Sequence, residues 1–236
     1  MQLTRVKRKV QDIFFDLGYM VDSSKHPRNH RQFLRYLNKL PIKIESIFDI
    51  GAFMGEWTLQ AQRIFRKASF QLFDPNPYLK INPIKINGNF HNVLLSDSIK
   101  VVEYYNNCGT GDSYYKEISK FYDEVPAKIF QTTSLDELRK TTLAEVISPS
   151  LIKIDTQGSE LDIISGAKSY MNDLKVIITE LPISKYNLGA PNFLEYLTFF
   201  SELNFFPFQI VEVHRIDREI IQVDIAFLRN DLKHLV

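Results

Sequence analysis

Ile47-Phe48-Asp49-Ile50-Gly51-Ala52-Phe53-Met54-Gly55-Glu56-Trp57-Thr58 is the stretch whose reading decides the fold. An apolar run closes on a carboxylate and a glycine, a second glycine follows, and a helix-like pattern begins. This predicts a buried strand, a tight turn at Gly51 and a helix starting near Gly55, with backbone N–H groups free at the mouth of the turn. Such a mouth suits an anionic or nucleotide-like ligand. The full G-x-G-x-x-G fingerprint is absent, and an ordinary strand–turn–helix would read the same way.

Similar signals recur downstream. Ser69 to Phe73 reads as a strand running into Asp74-Pro75-Asn76-Pro77, whose prolines stop it. Phe90 to Leu95 reads as a third strand, followed by Ser96-Asp97, and residues 99–106 as another extended segment. Ser134 and Glu137 have the spacing of a capping box. Leu151 to Ile154 ends on Asp155, a helix spans Ser159 to Met171, and the β-branched run Val176 to Thr179 ends on Glu180. A helix covers Pro191 to Leu203. Phe208 to Val213 and Ile221 to Leu228 close the chain as an antiparallel pair around Asp217. Before all of these, residues 1–40 read as two helices broken at His26-Pro27, the second running from Arg28 to Leu40. Alternating strands and helices predict an open α/β sheet, with ligands at the carboxyl ends of its strands. Asp49, Asp74, Asp155 and Glu180 would then line one common edge.

Composition narrows the class. The chain has 236 residues, 44% of them hydrophobic, enough for one sizeable core. Lys plus Arg is 29 against 28 for Asp plus Glu, so charge makes no case for nucleic acid or a membrane surface. The lone cysteine, Cys108, excludes an intrachain disulfide and fits a reducing compartment. No apolar run approaches the ~18 residues of a membrane span. Met1 to Val21 is basic, but its apolar residues are spaced as one helix face and not as a signal peptide. The expectation is a cytoplasmic protein.

Asp74 follows Asp49 by 25 residues. A carboxylate there can accept both hydroxyls of a ribose, or can cap its own turn. The pairing alone does not separate a nicotinamide dinucleotide from S-adenosylmethionine. The terminal antiparallel pair favours a Rossmann-like methyltransferase, since a dinucleotide enzyme usually continues with parallel strands.

The chain resembles the FkbM family of S-adenosylmethionine-dependent methyltransferases. The matching stretches are Phe48-Asp49-Ile50-Gly51-Ala52, Phe73-Asp74-Pro75-Asn76-Pro77, Leu94-Leu95-Ser96-Asp97, Thr133-Ser134-Leu135-Asp136, Leu151 to Glu160 and Gln222 to Phe227. The most specific of these is Lys153-Ile154-Asp155 with Gly158 and Glu160. The resemblance implies a class I methyltransferase fold: a seven-stranded sheet with a terminal antiparallel strand pair. Residues 42–236 would form the methyltransferase domain, preceded by an N-terminal helical region at 1–41. It implies S-adenosylmethionine as donor and a hydroxyl acceptor on a sugar, a glycan precursor or a secondary metabolite. Carried over, Gly51 and Gly55 sit by the methionyl part, Asp74 holds the ribose, and Ser96 and Asp97 lie by the adenine, with Asp49, Phe53 and Asn76 counted among the cofactor contacts. Phe53 stands where the family usually has Asn, so an aromatic replaces a polar contact beside the cofactor.

A hydroxyl has a high pKa, so a base or metal helps it attack. Asp155 is the first candidate for acceptor base or cation-facing carboxylate, Glu180 the second and His214 the third. Against these stand helix capping for Asp155 and an ordinary surface or core role for His214. Glu160 reads as a first-turn acid favoured by the helix dipole. No His/Cys/Asp grouping has structural zinc spacing, and His26 and His30 read as solvated. A divalent ion held by Asp155 and Glu180 is a further option. The polar loop from Asn106 to Tyr115 brings Ser113 and Tyr114 forward as acceptor contacts, with Tyr186 on a second wall. The competing readings are an NAD-dependent oxidoreductase and a non-catalytic S-adenosylmethionine-binding module.

Overall fold

The computed structural model describes residues 27, 29–76, 86–105, 111–118 and 126–236. The expected first helix, His26, Cys108 and most of the loop before Gly111 lie outside the described residues.

Among the described residues, the central sheet has seven strands. In chain order they are β1 (Ser46–Ile50), β2 (Ser69–Phe73), β3 (Asn89–His91), β7 (Leu151–Ile154), β8 (Val176–Pro182), β9 (Phe205–Ile216) and β10 (Glu219–Arg229). Across the sheet they run β3-β2-β1-β7-β8-β10-β9. β10 is antiparallel to both β8 and β9, while β1, β2, β3, β7 and β8 are parallel. This is the class I Rossmann-like methyltransferase arrangement. Strand order reverses between β1 and β7, so their carboxyl ends form the switch point at which open α/β sheets bind ligands.

A second, three-stranded sheet follows β3 in the chain: β4 (Leu94–Leu95), β5 (Val101–Tyr105) and β6 (Ala127–Thr133), in the order β4-β6-β5. The single strand expected from Phe90 to Leu95 is therefore two, split between sheets, because Asn92 turns away to donate to the carbonyls of Asp74 and Asn76. β6 carried no clear sequence signal, since most of its residues are exposed.

β1 and β7 are buried on both faces, as parallel strands under helices must be. On one face Phe48, Ile50, Phe73, Ile152 and Ile154 pack with α4 (Glu160–Ser165) and α5 (Phe193–Glu202) through Ile163, Ile164, Tyr196 and Phe200. On the other, Ile47, Phe70, Leu72 and Leu151 pack with α1 (His30–Leu37) and α2 (Glu56–Ile64) through Phe33, Leu34, Leu37 and Ala61. α1 is shorter than expected at both ends: Asn29 caps its start by accepting the Gln32 N–H, and beyond Leu37 the chain continues in turns, with the Lys39 and Leu40 N–H groups donating to the Tyr36 and Leu37 carbonyls. It belongs to the same core as the sheet.

Other sequence expectations are adjusted by local chemistry. Ser134 caps α3 (Leu135–Arg139) by accepting the Glu137 N–H, but the Glu137 side chain pairs with Lys140 instead of closing the box. The helix expected to reach Met171 ends at Ser165 and resumes as a 3₁₀ turn, Lys168–Tyr170. A Cβ at Gly166 would stand 2.5 Å from the Ser96 carbonyl, so this break lets the helix end approach the small sheet. α5 begins with a complete capping box between Asn192 and Glu195. Among the described residues, no helix is long and apolar enough to cross a membrane.

Candidate functional site

The site is built where β1 and β7 end. Gly51 has φ +70, and a Cβ there would lie 1.9 Å from the Asp155 carbonyl oxygen. Only glycine allows the two strand tips to close together. Gly55, also at positive φ, faces inward: its Cβ would meet Ile86 and Leu72. It serves helix–sheet packing.

A pocket opens over these tips. Gly51, Phe53, Asp74, Pro75, Leu94, Ser113, Tyr114, Asp155 and Ser159 are among its lining residues. Asp49, Gly55, Asn76, Ser96 and Asp97 do not line it. Ser113 and Tyr114, expected at the acceptor, line this same pocket. Ser113 Oγ donates to the Gln157 carbonyl (2.9 Å), and the Tyr114 hydroxyl donates to Asp162 (2.7 Å) and meets Ser96 Oγ at 3.1 Å. Asp97 turns to Lys100 and solvent.

Asp74 is buried and accepts two backbone N–H bonds, from Phe53 to Oδ2 (2.7 Å) and from Asn76 to Oδ1 (2.8 Å). Burial raises its pKa, against those two bonds. Each oxygen keeps a lone pair beyond the bond it accepts, which suits a diol. Phe53 has φ 46, in the left-handed region that disfavours a side chain; its link to Asp74 holds it there.

The β7 turn is held in the same way. Gln157 has φ 57, and the buried Glu160 accepts the N–H groups of Thr156 (2.9 Å) and Gly158 (3.0 Å) around it. The Tyr196 hydroxyl donates to Glu160 as well. Glu160 is thus a first-turn acid, as expected, and also a lock on the turn.

Asp155 does not cap α4. Ser159 takes the N-cap position, and Asp155 faces Lys153 (3.3 Å) and accepts from Gln157 Nε2 (3.2 Å). Lys153 is the site residue that sequence reasoning passed over, although it lies inside the most specific motif. Its ammonium is buried between Asp155, Asp49 (3.7 Å) and the Gly51 carbonyl (3.4 Å). Burial pulls its pKa down, but Asp155 and Asp49 outweigh it and the net shift is upward. Asp49 is fully buried, is held by Thr58 Oγ1 at 2.5 Å, and has its pKa raised by that burial.

Glu180 lies on the far side of the β7 turn, in a wider cleft of about 970 Å³ shared with Gly158, Tyr186, Asn187 and Phe193. Gln157 Nε2 and the Tyr186 hydroxyl donate to its Oε1 (3.0 and 2.9 Å), and Gln222 donates to Oε2. Burial, then Asp155 and Asp224, push its pKa well up. Tyr186 therefore belongs to this cleft. His214 donates toward Asp224 (3.0 Å), which also receives His30 (2.8 Å). His30 is not solvated: the Trp57 indole donates to its Nδ1 at 3.0 Å.

The sequence matches the family described as "Methyltransferase FkbM domain" over residues 49–207. The chain belongs to the FkbM methyltransferase family, and its methyl donor is S-adenosylmethionine. No curated protein matches it. Among solved structures, precorrin-6y C5,15-methyltransferase from Geobacter metallireducens is similar at 13% identity and TM-score 0.43, over 88% of this chain and 95% of that one. Magnesium protoporphyrin IX methyltransferase from Synechocystis is similar at 8% identity and TM-score 0.45, over 85% and 79%. The 1,6-didemethyltoxoflavin-N1-methyltransferase from Burkholderia thailandensis is similar at 10% identity and TM-score 0.43, over 86% and 77%.

Proposed function

We propose that this protein transfers a methyl group to a hydroxyl of a sugar, a glycan precursor or a secondary metabolite. The bound donor supplies an electrophilic methyl on a sulfonium cation. Asp74 takes the two ribose hydroxyls, Gly51 admits the methionyl part beside the β1 tip, and Phe53 and Leu94 offer apolar walls. Asp155 faces the cation or accepts the proton of the attacking hydroxyl. Glu180 and Tyr186 hold the acceptor, and the protein works mainly by alignment.

The observation that carries this reading is the turn after β7. Its residues Asp155, Thr156 and Ser159 line the pocket at the switch point, and Gly158 lines the wider cleft on its other side. A donor seat and an acceptor cleft meeting at one carboxylate-bearing turn is what methyl transfer requires. The test is calorimetry with S-adenosylmethionine, followed by transfer of labelled methyl to a panel of nucleotide sugars, glycans and hydroxylated metabolites. Donor binding with label appearing as a methyl ether is expected. Label on nitrogen or carbon would overturn the hydroxyl assignment, and donor binding without transfer to any acceptor would favour a binding module.

A further inference from the structure

We propose that Glu180, His214 and Asp224 form a site for a divalent metal ion, joined to the pocket by a single side chain. One potential ligand atom from each of the three lies within 4.8 Å of the others. Glu180 and Asp224 face each other directly across the antiparallel pair β8–β10, and both are buried. Two buried carboxyls directly opposite on paired strands cannot both ionise without a counter-charge. A cation between them would let both do so. Lys153, the buried ammonium nearby, is already taken by Asp49 and Asp155.

The ligands are also held from behind, as metal ligands usually are. Glu180 receives Gln157, Tyr186 and Gln222. Asp224 receives His30, and the Trp57 indole fixes the tautomer of His30. Because indole N–H only donates, His30 Nδ1 is an acceptor and its proton sits on Nε2. His30 therefore orients Asp224 and does not ligate. His214 differs: among the described residues its side chain hydrogen-bonds Asp224 alone, and its ring is 40% exposed. Its Nε2 can exchange that bond for a metal. Two carboxylates and one imidazole suit a divalent transition ion and leave positions open for an oxygen ligand. Gln157 Nε2 joins Glu180 to Asp155, so the ion lies one side chain from the pocket. Its use there rests on the methyl-transfer reading: it would bind the acceptor hydroxyl and lower its pKa.

The test uses the full chain, with Mn²⁺ followed by electron paramagnetic resonance and Zn²⁺ by equilibrium dialysis. Wild type is expected to bind at least one ion well below ~1 mM, and both His214→Ala and Glu180→Gln to weaken it roughly tenfold. His214 is partly exposed, so its alanine variant keeps the test decisive if Glu180→Gln fails to fold. The site is overturned if neither ion binds below ~1 mM, or if His214→Ala weakens binding less than about threefold. Calorimetry with S-adenosylmethionine on the same samples reports the donor seat separately, so failure of the metal site and failure of the methyl-transfer reading are told apart.

Discussion

Asp49 and Lys153 are register partners on the adjacent parallel strands β1 and β7, and their charged groups lie 3.7 Å apart beneath the Gly51 turn. The pair sits on the sheet face covered by α1 and α2, where Ile47 and Leu151 also point. Removing one member of a buried pair leaves the other charge without compensation. Lys153→Met is expected to cost about 3–5 kcal/mol of stability, read as a lower denaturation midpoint in urea. A loss under ~1 kcal/mol would mean that Asp49 is held by Thr58 alone.

Asp74→Ala removes the carboxylate that holds Phe53 and is assigned to the ribose. A charge-assisted contact is worth ~1.4 kcal/mol or more, so donor affinity is expected to fall tenfold or more by calorimetry. Unchanged affinity would withdraw the ribose assignment and leave Asp74 as a turn lock.

For Asp155→Asn the expected effect is on turnover. General-base or electrostatic loss lowers kcat by about a hundredfold, with donor affinity held within about threefold. If affinity collapses while turnover of the saturated enzyme survives, Asp155 is a donor ligand and not a base.

His91 gives a pH signature away from the chemistry. It stacks on Phe73 at 4.7 Å between ring centroids and meets Gln71 at 2.7 Å. Burial favours its neutral ring and lowers its pKa below the ordinary 6.5. Unfolding therefore takes up a proton, and the stability held above pH 6.5 is lost as the pH falls through the folded value. Thermal scans of His91→Phe, which keeps the stack, should show a shallower decline of Tm below that pH. Identical slopes would refute the assignment.

Much of this fold could be read from local pattern. The runs Ile47–Ile50, Leu151–Ile154 and Val176–Thr179 are short, apolar and closed by turn residues, which is how buried parallel strands look. Asp74 and Asp155 could be placed because an acid at such a strand end has a fixed position in the sheet. What escaped notice depends on partners distant in sequence. Lys153 reads as one letter of a motif until β7 pairs with β1 and sets it opposite Asp49. Glu160 reads as a helix-start acid, which it is, but its second role as a lock shows only when Tyr196, 36 residues on, reaches it. His30 and His214 meet at Asp224 only after α1 has packed under β9 and β10. Residue type marks which groups are chemically able; only the packed topology says which of them meet.

The two left-handed residues at the strand tips carry one more implication. Phe53 and Gln157 are each held by a carboxylate, Asp74 and Glu160, at a cost of roughly 1–3 kcal/mol per residue. The fold bears that cost before any ligand arrives, so a ligand seated there would meet a preorganised mouth and would not spend affinity on ordering the chain. The wider cleft is shaped by side chains such as Tyr186, Asn187 and Phe193. Substitutions among those side chains would reshape the cleft while the two carboxylate-locked turns stay in place.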